Sequence, residues 1–279
     1  VIYLLDADLN GDDSVRHLVL AGKVKYVPMT NHEAFESVVT KLLPLVYRER
    51  NESGNFLCKP EELDTVILDS APAMAELMRW DSKFGSDPTK TILDKRKLYL
   101  GGDANFLTVY NWTTDAIMTR LKNLRAAGAR VITTSHTDES VDPASLTKKM
   151  SPDMNDALRK SMMRACSDVF RMYELFDPIV NKTTGEVSVP AGFRILQLAK
   201  NDEAVAKYHV TDEYATKIPK EITVPPTGGL HKLYVVLGKR PSWLHLYGAE
   251  GVGKTTFACS EADPVPVPVT RTKKKEEVA

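Results

Sequence analysis

"GAEGVGKTTF" (Gly248–Phe257) decides how this chain is read. Gly248, Gly253, Lys254 and Thr255 fill every fixed position of the pattern G-x-x-x-x-G-K-[ST]. The context fits as well. "WLHLY" before it reads as a strand, and "KTTFACSEA" after it as a helical segment. Glycines let backbone N–H groups turn inward towards phosphate oxygens. A lysine at position 254 reaches the outer phosphates, and the Thr255 hydroxyl can bind Mg²⁺. The helix start adds a partial positive charge. The nucleotide-binding stretch is therefore Gly248, Ala249, Glu250, Gly251, Val252, Gly253, Lys254, Thr255 and Thr256. The competing reading is a glycine turn beside a surface lysine. It does not explain why strand, loop and helix coincide with the pattern. The place of the loop is unusual, because such loops normally follow the first core strand, and here about two dozen residues remain.

Composition sets the frame. The chain has 279 residues, enough to bury a full core as one large domain or two small ones. Apolar residues make up 43% and charged residues 27%, as in an ordinary soluble globular protein. The 37 basic and 37 acidic side chains cancel, so any nucleic-acid site must be a local basic patch. Cys58, Cys166 and Cys259 have no metal-ligand spacing and fit a reducing cytoplasm. No apolar run approaches the roughly 18 residues of a membrane span, and no basic-then-apolar leader is present. The expectation is a cytoplasmic protein with no membrane partner.

Short apolar runs alternate with amphipathic ones. "VIYLLDAD" (1–8), "GKVKYVPMT" (22–30), "LDTVILD" (63–69), "RVITTSHTDES" (130–140), "DVFRMYELF" (168–176), "VPAGFRILQLAK" (189–200), "KLYVVLG" (232–238) and "SWLHLYG" (242–248) read as strands. Phe35, Val38, Val39, Leu42 and Leu43 lie at helical spacing behind Asn31. Residues 113–129 read as a helix ended by Gly128, and the polar, basic stretch 142–166 becomes helical towards Cys166. "RNESGNFLCKPEE" reads as a loop and 81–105 as an exposed excursion. "VPPTGG" (224–229) reads as a linker, and 265–279 as a mobile Pro-alternating, then charged, tail. The pattern predicts an α/β fold with a mainly parallel central sheet flanked by helices, one domain over 1–264. Ligands in such sheets sit at the carboxyl ends of the strands.

Those ends carry acids. "TVILDS" places Asp69 where a second Mg²⁺-holding acid belongs, in the Walker B pattern; the alternative is a turn acid capping the next helix. Asp6 and Asp8 end the first strand. One of them can orient an attacking water, or both are turn acids leading into "LNGDD". His136 can contact a terminal phosphate, or it is polar surface.

Together these pieces resemble the RecA-like P-loop ATPases, closest to the short phage ATP-binding proteins of recombination and single-strand annealing. "YLLDADLNGD" is similar to the family strand whose end carries the catalytic carboxylate, which places Asp8 there; the family usually has Glu. "VILDSAPAMAEL" resembles its Walker B segment, and "VITTSH" its γ-phosphate sensor strand, with His136 in that place. "GFRILQLAKND" resembles the late strand whose basic group reaches a neighbouring subunit's nucleotide, which makes Lys200 the trans-acting residue. The likeness covers most of 1–210 and 243–264. It implies ATP and Mg²⁺ as cofactors, with Thr255 and Asp69 as metal-holding residues and Asp8, Lys254 and His136 as catalytic residues. It also implies a homo-oligomer and a phage-infected bacterial cell.

The order departs from the family. Its chains run phosphate loop, acid-ended strand, Walker B, sensor; here the phosphate loop comes last. Moving 242–264 in front of Val1 restores the family order, so the sequence predicts a circular permutation, with 224–240 as the joining segment. Single-stranded DNA is the expected partner, at Lys148, Lys149, Arg159 and Lys160, with Arg164 beside them. A solvated helix face diluted by Asp138, Glu139, Asp142, Asp153 and Asp156 is the plainer reading of that patch. Two other functions stay open. One is a small-molecule P-loop kinase, whose arginine lid Arg48, Arg50, Arg79 and Arg96 do not obviously form. The other is a nucleotide-holding assembly protein without turnover.

Overall fold

The computed structural model describes residues 1–46, 64–81, 104–141, 147–181, 183–201, 203–210, 216–225 and 229–260. The 50–62 loop, nearly all of the 81–105 excursion, Cys58, Arg48, Arg50, Arg96, Asp142 and the 265–279 tail lie outside them. The chain opens with β1 (Ile2–Asp6), α1 (Gly11–Leu20), β2 (Val24–Pro28) and α2 (His32–Val46). Then come β3 (Thr65–Asp69), α3 (Ala71–Trp80), α4 (Ala104–Ala127), β4 (Arg130–Ser135), β5 (Thr137–Val141) and β6 (Lys148–Pro152). The rest is α5 (Asp156–Ala165), β7 (Asp168–Glu174), β8 (Ile179–Val180), β9 (Val187–Val189), β10 (Arg194–Gln197), β11 (Glu221–Thr223), α6 (Gly229–Leu237), β12 (Trp243–Gly248) and α7 (Lys254–Cys259).

An 8-stranded sheet in the order β11-β10-β7-β12-β4-β3-β1-β2 forms the centre. Every pairing from β7 to β2 is parallel; β10 and β11 add an antiparallel edge. The inner parallel strands β1, β3, β4 and β12 are buried along nearly their whole length, as sheets covered on both faces require, whereas β2 at the edge is partly exposed. Successive side chains point to opposite faces. Leu5, Val66, Leu68, Val131 and Trp243 join one core cluster with residues of α2, α3, α4 and α5. Leu4, Ile67, Ile132, Leu244 and Leu246 join the other with residues of α1, α6 and α7. The predicted α/β fold with a mainly parallel sheet between helices is thus what the chain adopts.

Local signals explain several boundaries. Asn31 Oδ1 accepts from Ala34 N–H at 2.8 Å at the start of α2. Ser70 accepts from Ala73 N–H at 3.3 Å to cap α3. Gly128, with φ 113°, ends α4 in backbone that other residues avoid.

Two sequence expectations are corrected. "KLYVVLG" is not a strand. It lies in α6, where Leu230, Leu233, Tyr234 and Leu237 are buried at spacings of three and four, a helical stripe that outweighs the paired valines. "RVITTSHTDES" is not one strand. It breaks at His136, and β5 leaves the main sheet to pair with β6 as a separate antiparallel hairpin. Within "LNGDD", Gly11 opens α1, whose Val15 and Leu18 are buried in one cluster with α7 residues Phe257, Ala258 and Cys259.

Candidate functional site

The carboxyl ends of β1, β3, β4 and β12 lie side by side along one edge of the sheet. Register fixes this: Asp6 stands beside Asp69, and Tyr247 beside Ser135. The residues just past those ends therefore share a rim although they are far apart in sequence. A cavity of about 390 Å³ sits there, lined by Asp8, Asn10, Ser14, Asp69, His136, Arg194, Glu250, Gly251, Gly253, Lys254, Thr255 and Thr256. The catalytic and metal-holding residues expected from sequence thus meet at one place.

The loop is shaped by its glycines. A Cβ on Gly248 would lie 2.2 Å from the Met172 carbonyl oxygen, so β12 can lie against β7 only with glycine there. Gly253 takes φ 86° as the cap residue before Lys254. Lys254 is buried, and its ammonium donates to the carbonyls of Gly248 at 3.1 Å and Ala249 at 2.9 Å. Burial pulls its pKa down, while Asp69, Asp8 and Glu250 pull the other way. Bound phosphate would add anionic charge and favour the ammonium. Of the remaining loop residues, Ala249 and Val252 face a neighbouring cavity of about 790 Å³, which Glu250 and Gly251 share.

Asp69 joins the two halves of the site. Its carboxylate accepts from the Thr255 hydroxyl on one oxygen and from the Thr134 hydroxyl on the other. Thr134 has no distinguishing sequence signal beyond its place in β4. The pair Thr255–Asp69 offers hard oxygen donors of the kind Mg²⁺ takes, and the fit is chemically sound. Among the described residues no group of three or more His, Cys, Asp or Glu forms a metal cage. Mg²⁺ ordinarily keeps waters and substrate phosphates as its other ligands and needs no such cage.

The structure separates the two head aspartates. Asp6 is fully buried and structural: it accepts from Leu9 N–H at 2.9 Å and from the Tyr26 hydroxyl at 3.0 Å. Asp8 lines the cavity. Burial raises its pKa; the Ser70 hydrogen bond and His136 oppose this, and Asp69 and Asp6 reinforce it. A carboxylate held above its ordinary range is a stronger base. His136 Nε2 lies 3.9 Å from Asp8 Oδ2, and the His136 carbonyl accepts from Asp153 N–H at 2.9 Å just beyond the hairpin.

Below the loop, His245 on β12 is fully buried. Its Nδ1 lies 2.8 Å from the Thr133 hydroxyl and its Nε2 3.1 Å from the Ser135 hydroxyl. Burial, with Lys254 nearby, pushes its pKa down to about 3, so the imidazole is neutral.

The basic residues gather elsewhere. Lys149, Arg159, Lys160, Arg164 and Lys200 line a cavity of about 630 Å³ beside the β5–β6 hairpin, together with Glu203. Lys148 does not line it and pairs with Glu139 at 3.6 Å. Arg159 is held by Asp156 and Ser151. Lys200 belongs to this basic cavity and not to the cavity that Lys254 and Asp69 line. Arg194, on the strand that carries the Lys200 likeness, does line the cavity of Lys254 and Asp69. Arg79, one of the scattered lid arginines, pairs with Glu76 on α3.

No family model, curated protein or solved structure matches the chain. Among the described residues no helix is long and apolar enough to cross a membrane.

Proposed function

We propose that the protein is a Mg²⁺-dependent ATPase of the RecA-like type, with its phosphate-loop segment permuted to the end of the chain and single-stranded DNA as its partner. One observation carries the reading. Lys254 and Thr255 from the last strand–helix unit and Asp8, Asp69 and His136 from the first half line one cavity. Chance glycine turns do not recruit two acids and a histidine from the other half of a chain.

The residues divide the work as follows. The Gly248–Thr256 backbone and Lys254 hold the phosphates. Thr255 and Asp69 would hold Mg²⁺, which would neutralise phosphate charge. Asp8 accepts a proton from the attacking water and aligns it, helped by its raised pKa. His136 lies at the mouth of the hairpin, so contact with a terminal phosphate would be felt by β5 and β6. The basic cavity flanking that hairpin is where DNA phosphates would bind.

Two features support the permutation. β12 lies inside the sheet between β4 and β7, next to the sensor strand, and α7 packs against α1. The joining segment includes helix α6, which packs beneath α7. Pro264, on the proposed junction, lies outside the described residues.

The deciding assay is phosphate release from ATP by the protein alone, with single-stranded DNA, and with a panel of small acceptors. Stimulation by DNA is expected. Loss of ATP only with an acceptor would make the protein a kinase, and nucleotide binding without turnover would make it an assembly protein.

A further inference from the structure

We infer that Arg194 is a second cationic group for the phosphates, acting within its own chain. This rests on the nucleotide reading above and adds a residue to it.

The argument begins with strand direction. β10 pairs antiparallel with β7, and Arg194 stands opposite Glu174 at the carboxyl end of β7. An antiparallel strand brings its first residue, not its last, to the rim where the parallel strands end. Arg194 is that first residue. Lys200, beyond the other end of β10, is carried away to the basic cavity.

The side chain then crosses towards the loop. A Cβ built on Gly253 would meet Arg194 Nη1 at 2.5 Å and Cζ at 2.7 Å, so the guanidinium lies against the Gly253 α-carbon. Gly253 directly precedes Lys254, and Arg194 lines the same cavity as Lys254, Thr255 and Asp69. Arg171, Arg79, Arg120, Arg130 and Arg159 are engaged with a ring or a carboxylate. The Arg194 guanidinium has no hydrogen bond, ion pair or ring contact among the described residues. An arginine with a planar fork of donors, unengaged and aimed at a phosphate cradle, suits bidentate contact with phosphoryl oxygens. The alternative that it serves to hold the fold has little to stand on, because the residue is exposed and its side chain ties no two elements together.

The test measures binding of ATP, ADP and adenosine by wild type, Arg194→Ala, Arg194→Lys and Lys254→Ala, with thermal melting as a control on folding. Arg194→Ala is expected to melt like wild type and to bind ATP at least about tenfold more weakly, the size of one charged hydrogen-bonded contact. The loss should shrink from ATP to adenosine, and Arg194→Lys should restore part of it. Wild type binding ATP while Arg194→Ala binds it equally well overturns the role of Arg194 and leaves the loop assignment standing. Wild type that fails to bind ATP overturns both. An equal loss for ATP and adenosine also overturns it, since the contact would then be to the nucleoside. Mixing Arg194→Ala with Lys254→Ala separates cis from trans. If tight binding returns, Arg194 serves a neighbour's loop and the inference is wrong; if it does not, the contact is within the chain.

Discussion

Acidification should weaken this fold through His245. The imidazole is fully buried between the hydroxyls of Thr133 and Ser135, and its pKa falls to about 3. In the unfolded chain a histidine titrates near about 6.5. Above that pH neither state holds the extra proton, and His245 makes no pH-dependent contribution. As pH falls through about 6.5 the unfolded chain takes up a proton that the folded one refuses, so stability is lost progressively down to the folded pKa. One pKa unit corresponds to about 1.4 kcal/mol. Between about pH 7.5 and about pH 5.5 the loss from this group is therefore ~1.4 kcal/mol, and it would be the same for any folded pKa well below that window. The comparison is with His245→Asn, which keeps a donor and an acceptor but does not titrate. Chemical denaturation at the two pH values gives four stabilities. The variant should start lower, from imperfect packing, and lose ~1.4 kcal/mol less than wild type on acidification. Other titrating groups, Asp8 with its raised pKa among them, contribute to both proteins and cancel in the difference. Equal pH dependence in the two proteins would show that His245 is not buried as a neutral group. It would also place β12, and the loop it carries, in the wrong environment.

Other outcomes follow from the same geometry. Asp8→Asn should lower ATP turnover by about a hundredfold or more with ATP affinity little changed, because a base acts on the reacting water and not on bound nucleotide; steady-state kinetics beside binding titrations would check this. Asp6→Asn should instead act on stability, since Asp6 faces Leu9 and Tyr26 and not the cavity. Gly248→Ala should cost about 1–3 kcal/mol in denaturation, because its Cβ would lie 2.2 Å from the Met172 carbonyl oxygen and β7 would have to move. Replacing Lys160 and Arg164 with Ala should weaken single-stranded DNA binding and flatten its salt dependence, while ATP binding without DNA is unchanged; fluorescence anisotropy across a salt series reads both.

The sequence made the parallel sheet legible because strands buried on both faces leave short apolar runs such as "VILD" and "WLHLYG" that end at acidic or glycine-rich turns. That Gly253–Thr255 and the acids Asp8 and Asp69 share one cavity was legible for the same reason: they sit at or just past the ends of those runs, and parallel strands bring such positions together. What stayed hidden depended on neighbours across the sheet. Thr134 reads as one polar residue in β4, and only the lateral order of β12, β4 and β3 sets it beside Asp69. His245 gains its meaning from Thr133 and Ser135 on the adjacent strand. Arg194 is visible only once β10 is known to run against β7, because a parallel β10 would have sent Lys200 to the rim instead. The segment 232–238 misled because valines favour strands locally, while its leucines follow a helical period that burial on α7 enforces.

Titration of wild type, Lys254→Ala and Asp69→Ala with ATP, with and without Mg²⁺, bears on whether the tail lysine and the head-half aspartate serve one ligand. The geometry predicts that Lys254→Ala loses most ATP binding under both conditions. It predicts that Asp69→Ala loses the part that depends on Mg²⁺ while keeping the metal-free part. Wild-type affinity in either variant, with Mg²⁺ present, would contradict a shared triphosphate site.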